Sequence, residues 1–476
     1  MIRRIRTLAT LTIGLAILSG CAVGPDYHRP SAPVPARYEI LKGWAPARPA
    51  AHAPKGAWWR GFQDPLLDRL EPQVAVSNQT VRTAYYHWRQ SRAFVREAEG
   101  QLFPSAGLTG SAGHSHASFT GVSTASLEGS ASWVLDLWGQ IRRSVEESRA
   151  VAEESQATLA NATLSEQAAL ATALIDLRIA DADTALLRKT VTAYQASLRI
   201  VENQVAAGTA PPSDVLTART ALEGAKAQLL NAGVARAEYA HAVAVLAGRL
   251  PEDLRIRRSR TLPVLPAIPV GVPSTLLERR PDIAADERAM AAANAAIGVQ
   301  IAAFYPTITL SAAGGLSGNP LGALFSAASE VWSFGANAAL GLFEGGARRA
   351  AVGAAWDAYR AAVATYRGDV LAAFQQVEDN LSTLHILARE ARVQNAAVRD
   401  AAHAVRIALN EYQSGTVAYT AVATAQVTLL GDQQTALSIH QQRLLAAVDL
   451  IQALGGGWSA VDLQTGASQE RKPVVR

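Results

Sequence analysis

"ASLEGSASWVLDLW", residues 125–138, alternates. Ala125, Leu127, Gly129, Ala131, Trp133, Leu135 and Leu137 take the odd positions; Ser126, Glu128, Ser130, Ser132, Val134, Asp136 and Trp138 take the even ones. One apolar and one mostly polar face at a period of two is a strand signature, and about ten such residues, tilted, cross a bilayer. The pattern returns at 332–342, where Trp332, Phe334, Ala336, Ala338, Leu340 and Leu342 alternate with Ser333, Gly335, Asn337, Ala339 and Gly341. It returns again at 307–312, with Ile308, Leu310 and Ala312 against Thr307, Thr309 and Ser311. A weaker fourth strand lies near 105–115. Any one of these fits a half-buried strand of a soluble sandwich equally well. Four of them, as two hairpins in an exported chain, favour the membrane, with hairpin loops at 114–124 and 316–328.

Between the hairpins the periodicity changes to helical. Helix signals cover 78–101 and stop at Pro104, and no Pro or Gly interrupts 140–206. A helix of that length extends about 100 Å at 1.5 Å per residue, more than a compact domain needs. Leu177, Thr184, Leu187, Val191, Tyr194, Leu198, Val201 and Val205 follow the three-four spacing of a coiled-coil seam. "AAGTAPPSD" turns the chain, and Pro211–Leu246 returns as a second helix. Later, Val427, Leu430, Leu437, Leu444, Val448 and Ile451 keep heptad register, with Gln434 and Gln441 filling the gaps. Seam residues read as core, not as ligands.

The chain repeats itself. "AAGTAPPSDVLTAR" (206–219) aligns with "QSGTVAYTAVATAQ" (413–426), which puts Gly208 on Gly415 and Ala218 on Ala425. "QLFPSAGL" (101–108) aligns with "AFYPTITL" (303–310), and "LWGQIRR" (137–143) with "LFEGGARR" (342–349). Each half reads helix, strand, strand, long helix, turn, helix. The organisation expected is a signal at 1–20, a Pro/Ala-rich tether at 21–57, a first repeat at 58–270, a second at 271–458 and a tail at 459–476.

The start of the chain is an export signal: Arg3, Arg4 and Arg6, an apolar run from Leu8 to Leu18, then Ser19 and Gly20. The run is too short to span a membrane as a helix, and no later run is long enough. Cys21, the single cysteine, follows at once. "LSGC" resembles the lipobox of bacterial lipoproteins, in which the thiol takes a diacylglycerol, the signal is cut before the Cys and the new amino group is acylated. The alternative is a free thiol. Ala22 stands where inner-membrane lipoproteins often carry Asp, which points to the outer membrane. Removing residues 1–20 takes away three Arg and no acid, so the net charge falls from +4 to +1, and nucleic acid is not a suggested partner. With 49% apolar but only 6% aromatic residues, the chain suits thin interfaces between long helices better than a thick globular core.

Four strands cannot close a barrel, and an open edge in lipid leaves unpaired backbone groups, so strands from other copies must complete it. These features are similar to those of the outer membrane efflux protein family, specifically the NodT-like lipoprotein outlets of resistance-nodulation-division (RND) systems. The motifs that carry the resemblance are "CAVGPDYHRP" (21–30), "WWRGFQDPLLDRL" (58–70), "DLWGQIRR" (136–143) and "LLERRPDIAADERAMAAANAAIGVQIAAFYPTITLSAAGG" (276–315). The resemblance implies an α+β membrane protein: a transmembrane β-barrel assembled from three chains, four strands each, continuous with a long coiled-coil α-helical barrel and built from two internal repeats. It implies a homotrimer in the outer membrane, a periplasmic adaptor (membrane fusion) protein and an inner-membrane RND transporter as partners, and a helical body in the periplasm. The expected function is a passive efflux duct. In "LLERRPDI", Pro281 and Asp282 suit the first turn of a helix and read as structural.

Relatives often close the periplasmic tip with rings of Asp after the second "GT". Here those positions hold Ala421 and Thr424, while the first repeat keeps Asp214. The expectation is closure by helix packing around Tyr412, Tyr419 and Val422, with Asp214, at the turns marked by Gly208, Thr209, Gly415 and Thr416. Enzyme readings do poorly. His114 and His116 form an HxH pair without a nearby third ligand, "GGLSGN" (314–319) misses the nucleophile-elbow spacing, and no phosphate loop is present. No cofactor beyond the lipid is expected. Two other readings remain, an outlet for secreted proteins and a lipoprotein spacer, and the hairpins argue against the spacer.

Overall fold

The computed structural model describes residues 22–31, 57–117, 120–268, 280–318 and 324–456. The signal, Cys21 and the tail from 457 lie outside the described residues. Seven helices are described: α1 (Pro65–Ser77), α2 (Gln79–Gly100), α3 (Gln140–Ala206), α4 (Pro212–Leu246), α5 (Pro281–Ala302), α6 (Ala347–Gln413) and α7 (Tyr419–Ala453). Four strands join them: β1 (Ser105–Ala117), β2 (Thr120–Leu135), β3 (Thr307–Gly318) and β4 (Glu330–Ala339). The order of elements α2 to α4 recurs as α5 to α7. The matching helices have equal lengths of 22, 67 and 35 residues. Among the described residues no helix is long and apolar enough to cross a membrane.

The chain divides into two compact units. The first takes residues within 1–32, 86–157 and 283–368 and holds the sheet. All neighbouring strands are antiparallel, in the order β1-β2-β3-β4. Residues opposite one another across a sheet share a face, so register decides what each face presents. One row runs Ala106, Ala131, Ala312, Phe334; the next runs Leu108, Gly129, Gly314, Trp332. Trp133, Leu310 and Ala336 make a third, and Leu135, Ile308 and Ala338 a fourth. The alternation of each strand thus adds up to one continuous apolar face. Much of it is exposed: Phe334 by 84%, Trp332 by 77% and Leu108 by 72%. The opposite face carries Ser111, Ser126, Glu128, Ser130, Ser132, Ser311, Ser333 and Asn337.

Several boundaries differ from the alternation pattern. The strand expected at 125–138 ends at Leu135, because the Asp136 carboxylate leaves the ladder to accept from Ile141 N (2.9 Å) and Arg142 N (3.0 Å) and so caps α3. Trp138 is not a strand residue: it stacks on Tyr305 with centroids 4.9 Å apart and donates to the Pro306 carbonyl. The strand expected at 332–342 ends at Ala339. The loop expected at 114–124 is nearly all strand, since the β1–β2 ladder continues through it; only 118 and 119 lie outside the described residues. His114 is therefore in β1, with Nδ1 2.9 Å from Ser123 Oγ, and not in a loop. The 316–328 loop shortens likewise, as β3 runs to Gly318.

Residues 22–31, expected to belong to a free tether, are pinned to this unit. Val23 N donates to Trp138 O, and Arg143 donates to the Val23 and Gly24 carbonyls and to Asp26 (2.9 Å). Asn294 holds the Pro25 carbonyl, Tyr27 Oη donates to Glu287 (2.7 Å), and Arg29 donates to Tyr366 Oη (3.1 Å). Gly24 has φ +101° and lies against the Gly298 backbone, where any Cβ would collide. Residues 32–56 lie outside the described residues.

The second unit takes residues within 33–85, 158–282 and 369–476. A 3-10 turn, Trp58–Phe62, buries Trp59 and Phe62 ahead of α1. Asp64 caps α1 by accepting from Leu66 N and Leu67 N, and its other side takes Arg178 Nε at 2.7 Å. Burial alone would raise the Asp64 pKa; the Arg178 bond and charge and the two amides hold it below the ordinary value. Helices α3 and α7 run antiparallel. Between them Gln452 donates to Ser165, Gln441 to Asp176 (2.8 Å), Gln434 to Asp183 (3.4 Å) and Gln426 to Ser197 (2.7 Å). The glutamines that fill gaps in the heptad pattern are thus rungs of a polar ladder. Around them Leu430, Leu444, Val448 and Ile451 are buried. Val427 is not in the seam; it is 61% exposed, as a straight helix drifts away from a strict seven-residue repeat.

Candidate functional site at the helix turns

The two "GT" turns of the second unit have one construction. At the end of α3, Gly208 adopts φ +77°, its N–H donates to Val205 O, and Thr209 N donates to Gln204 O (2.9 Å). At the end of α6, Gly415 adopts φ +78°, its N–H donates to Tyr412 O, and Thr416 N donates to Glu411 O (2.9 Å). These paired bonds, with a left-handed glycine, form the Schellman cap. Each threonine hydroxyl adds a bond to the same carbonyl, Thr209 to Gln204 (3.0 Å) and Thr416 to Glu411 (2.8 Å). So Gly208, Thr209, Gly415 and Thr416 stop their helices and reverse the chain; none belongs to the buried cluster beside them.

That cluster contains Val201, Ala218, Tyr412, Tyr419 and Val422, all buried. The Tyr412 and Tyr419 rings meet edge-on at 66° with centroids 5.3 Å apart, a geometry contributing about 0.5–1.5 kcal/mol beyond burial. Asp214 sits in the first turn of α4, and Tyr412 Oη donates to its Oδ2 at 3.2 Å. Burial first, then the Asp214 bond and charge, push the Tyr412 pKa up to about 12. Burial first, then charge from Tyr194 and Asp214, push Tyr419 up to about 12. Both hydroxyls keep their protons at neutral pH. Gln204 Nε2 also donates to the Tyr412 carbonyl (3.3 Å).

Of the expected residues, Tyr412, Tyr419, Val422 and Asp214 come together. Ala421 and Thr424 do not: both are exposed, and the Thr424 hydroxyl turns back to Thr420 O. Val201 and Ala218 complete the cluster without having been singled out for it. Val201 was legible as a seam residue and Ala218 as the repeat partner of Ala425. The arrangement is a brace: the end of α6 and the start of α7 are held to α3 and α4 by apolar packing, the Tyr412–Asp214 hydrogen bond and the Gln204 amide on the α6 carbonyls. Among the described residues no group of three His, Cys, Asp or Glu could hold a metal.

The family described as "Outer membrane efflux protein" matches residues 70–249 and 272–456. This chain belongs to that family. The toluene efflux pump outer membrane protein TtgC of Pseudomonas putida is 30% identical over 480 residues, covering 98% of this chain and 99% of the relative. The cation efflux system protein CusC of Escherichia coli is 28% identical over 451 residues, covering 93% and 96%. Among solved structures, the outer-membrane channel OprN superposes with a TM-score of 0.85 at 28% identity, over 92% of this chain and 100% of that one. This outer membrane efflux protein thus keeps the family's fold along almost its whole length.

Proposed function

We propose that this outer membrane efflux protein is the outlet of a three-part efflux system, a passive homotrimeric duct that carries drugs or other small molecules outward. One observation carries the reading: among the described residues the sheet of β1 to β4 has a continuous apolar face and two edges without a partner strand. Unpaired N–H and C=O groups in lipid cost several kcal/mol each. Joining the β1 edge of one copy to the β4 edge of the next satisfies them, and three copies give twelve strands. The odd positions of β2 from Ala125 to Leu135 cover about 33 Å of strand, or about 24 Å of bilayer at the usual tilt. That height matches an outer-membrane apolar band.

The polar face of the sheet then lines the lumen. The 67-residue helices are long enough, at about 100 Å, to continue the duct through the periplasm. In this reading an adaptor and an inner-membrane RND transporter supply selection and energy to the passive duct. Toluene and cations, in the names of two relatives, are both small cargoes, and that supports a duct of low chemical preference. The lipid anchor belongs to the same reading: S-diacylglycerol and an N-acyl chain on Cys21, for which palmitate labelling of the wild type and its loss in Cys21→Ser are the expected results.

The deciding experiment is planar-bilayer conductance of the detergent-extracted protein together with its mass by light scattering. A trimer giving rare, small openings is expected. A monomer that never conducts overturns the reading.

A further inference from the structure

The β1–β2 ladder runs from Ser105 opposite Ser132 to Ala117 opposite Thr120 without a bulge, so the even residues of β1 share one face throughout. Ala106 and Leu108 make that the apolar face of the sheet. His114 and His116 continue it beyond Ala112, whose row with Ala125 and Gly318 is the last apolar one. Both histidines are exposed, and they stand about 6.8 Å apart along the strand. Ser123 Oγ lies 2.9 Å from His114 Nδ1 and holds that ring, which leaves Nε2 to meet a ligand. The sequence has no Lys or Arg from 97 to 141 or from 289 to 347. Ionisable groups on the apolar face of the described strands are therefore these two histidines and one acid, Glu330. It is exposed, opens β4 at the edge of the sheet, and closes the row Gly110, Leu127, Leu316, Glu330.

Within one chain the histidines and Glu330 occupy opposite edges of the sheet. Closing a barrel brings them together. The hairpin ends of the strands step down across the sheet: β1 reaches Ala117, whereas β4 begins level with Gly110. Barrel strands lean, and this step is the lean. In a trimer the β1 edge of the next copy continues it. The stagger per copy must be an even number of residues, because an odd one turns every side chain to the other face. For strands about 4.8 Å apart, a stagger of four tilts them by about 35° and one of six by about 45°, the range of closed barrels. A stagger of four sets Glu330 opposite the partner's His114, and six sets it opposite the partner's His116. In both registers the second histidine is the diagonal neighbour, about 7–8 Å away.

We propose that each subunit boundary binds one divalent transition-metal ion through His114, His116 and Glu330 of the partner subunit. The inference rests on the trimeric reading under Proposed function. Two imidazoles and a carboxylate, with water in the fourth position, are a donor set for zinc, and metal–nitrogen bonds of about 2.0–2.1 Å let rings two strand residues apart reach one ion. In the bound form His114 Nδ1–H donates to Ser123 Oγ, a supporting bond of the kind that orients a ligating ring. The site begins one row beyond the apolar band, so it places no charge in hydrocarbon. The ion ties together two strand edges that no peptide chain joins.

The probe is Zn²⁺, added to the untagged full-length protein in detergent after treatment with a chelator. Mass by light scattering comes first: a monomer overturns the trimeric reading and this inference with it, whereas a trimer that takes up no zinc overturns the inference alone. Calorimetry on the trimer should give one ion per protomer. Zinc should also raise the temperature at which the trimer comes apart in SDS, and EDTA should reverse the effect. His114→Ala, His116→Ala and Glu330→Gln should each weaken binding at least as much as loss of a ligand's supporting group does, about tenfold to 100-fold. Unchanged affinity in Glu330→Gln overturns the inference, because the two histidines then bind without the partner. Register is tested without metal. Glu330→Cys combined with His114→Cys, or with His116→Cys, should give a disulfide between subunits under mild oxidation in one of the two pairings. Cross-linking in neither overturns the inference, and that arm stands whatever the zinc affinity.

Discussion

Tyr412 Oη donates a 3.2 Å hydrogen bond to Asp214 Oδ2, across 198 residues of chain. It joins the end of α6 to the first turn of α4, beside the point where both long helices stop. If this cluster closes the duct, opening must break the bond and part the two tyrosine rings. A bond to a carboxylate is worth about 1.5–3 kcal/mol, so Tyr412→Phe should raise the open-to-closed ratio at least tenfold. Asp214→Ala should do the same, and the double variant should add little, because both remove one interaction. Tyr419→Ala, which empties a fully buried site, should open the channel further. Single-channel recordings of the four variants decide; wild-type closure in all of them would remove the cluster from gating.

The ladder between α3 and α7 should respond to which rung is cut. Asp176 is kept above its ordinary pKa by burial, and the Gln441 bond pulls it partly back. Gln441→Leu therefore leaves a half-buried carboxyl without its donor and should cost about 1–3 kcal/mol. Adding Asp176→Leu should recover most of that loss, since replacing both partners by apolar groups is nearly neutral. Denaturant midpoints for the two singles and the double close the cycle. Additive losses would mean that the rung is not a unit.

The strands and the first 67-residue helix were legible because each rests on local periodicity, two in the strands and three-four in the seam; the second long helix was legible through the internal repeat, and the turn cluster through that repeat and the family resemblance. Gln434 and Gln441 were visible as gaps in a heptad, but their partners Asp176 and Asp183 lie more than 250 residues away and no local rule pairs them. Strand ends were misread for the same reason. Asp136 obeys the alternation of 125–138 yet is taken by the orphan amides of α3, and polar His114 and Ser123 look like loop yet pair across a ladder. The anchoring of 22–31 is invisible in a Pro-rich segment, because it depends on Arg143, Glu287 and Tyr366 arriving from elsewhere.

Glu71 predicts an unusual pH profile. It is fully buried on α1, both carboxyl oxygens lack hydrogen-bond partners among the described residues, and burial pushes its pKa up to about 9. Folded protein then holds a proton on Glu71 across the window from about 4.5 to about 9, where the unfolded chain has released it. Stability from this group is present below the lower limit and is lost as pH rises through the window. Glu71→Met should flatten that decline and raise the melting temperature at pH 8. A melting temperature that does not fall between pH 5 and 9 in the wild type would show the group to be solvated.

Asp64 predicts the opposite limb. It both caps α1 and neutralises buried Arg178, whose other acid contact, Asp181, is 3.8 Å away. Its folded pKa is depressed, so its contribution is present above the unfolded value and disappears as pH falls through the folded one. Asp64→Ala removes the cap, about 1 kcal/mol, and strands the guanidinium, about 3–5 kcal/mol. Asp64→Asn keeps Oδ1 as the acceptor for Leu66 N and Leu67 N but loses the charge and the Oδ2 that accepts from Arg178 Nε, so it should fall between Ala and wild type at pH 7. Both variants should lose the wild-type decline in stability toward low pH. Equal stability of the Ala and Asn variants would mean that the charge, and not the cap, is the whole of the Asp64 contribution.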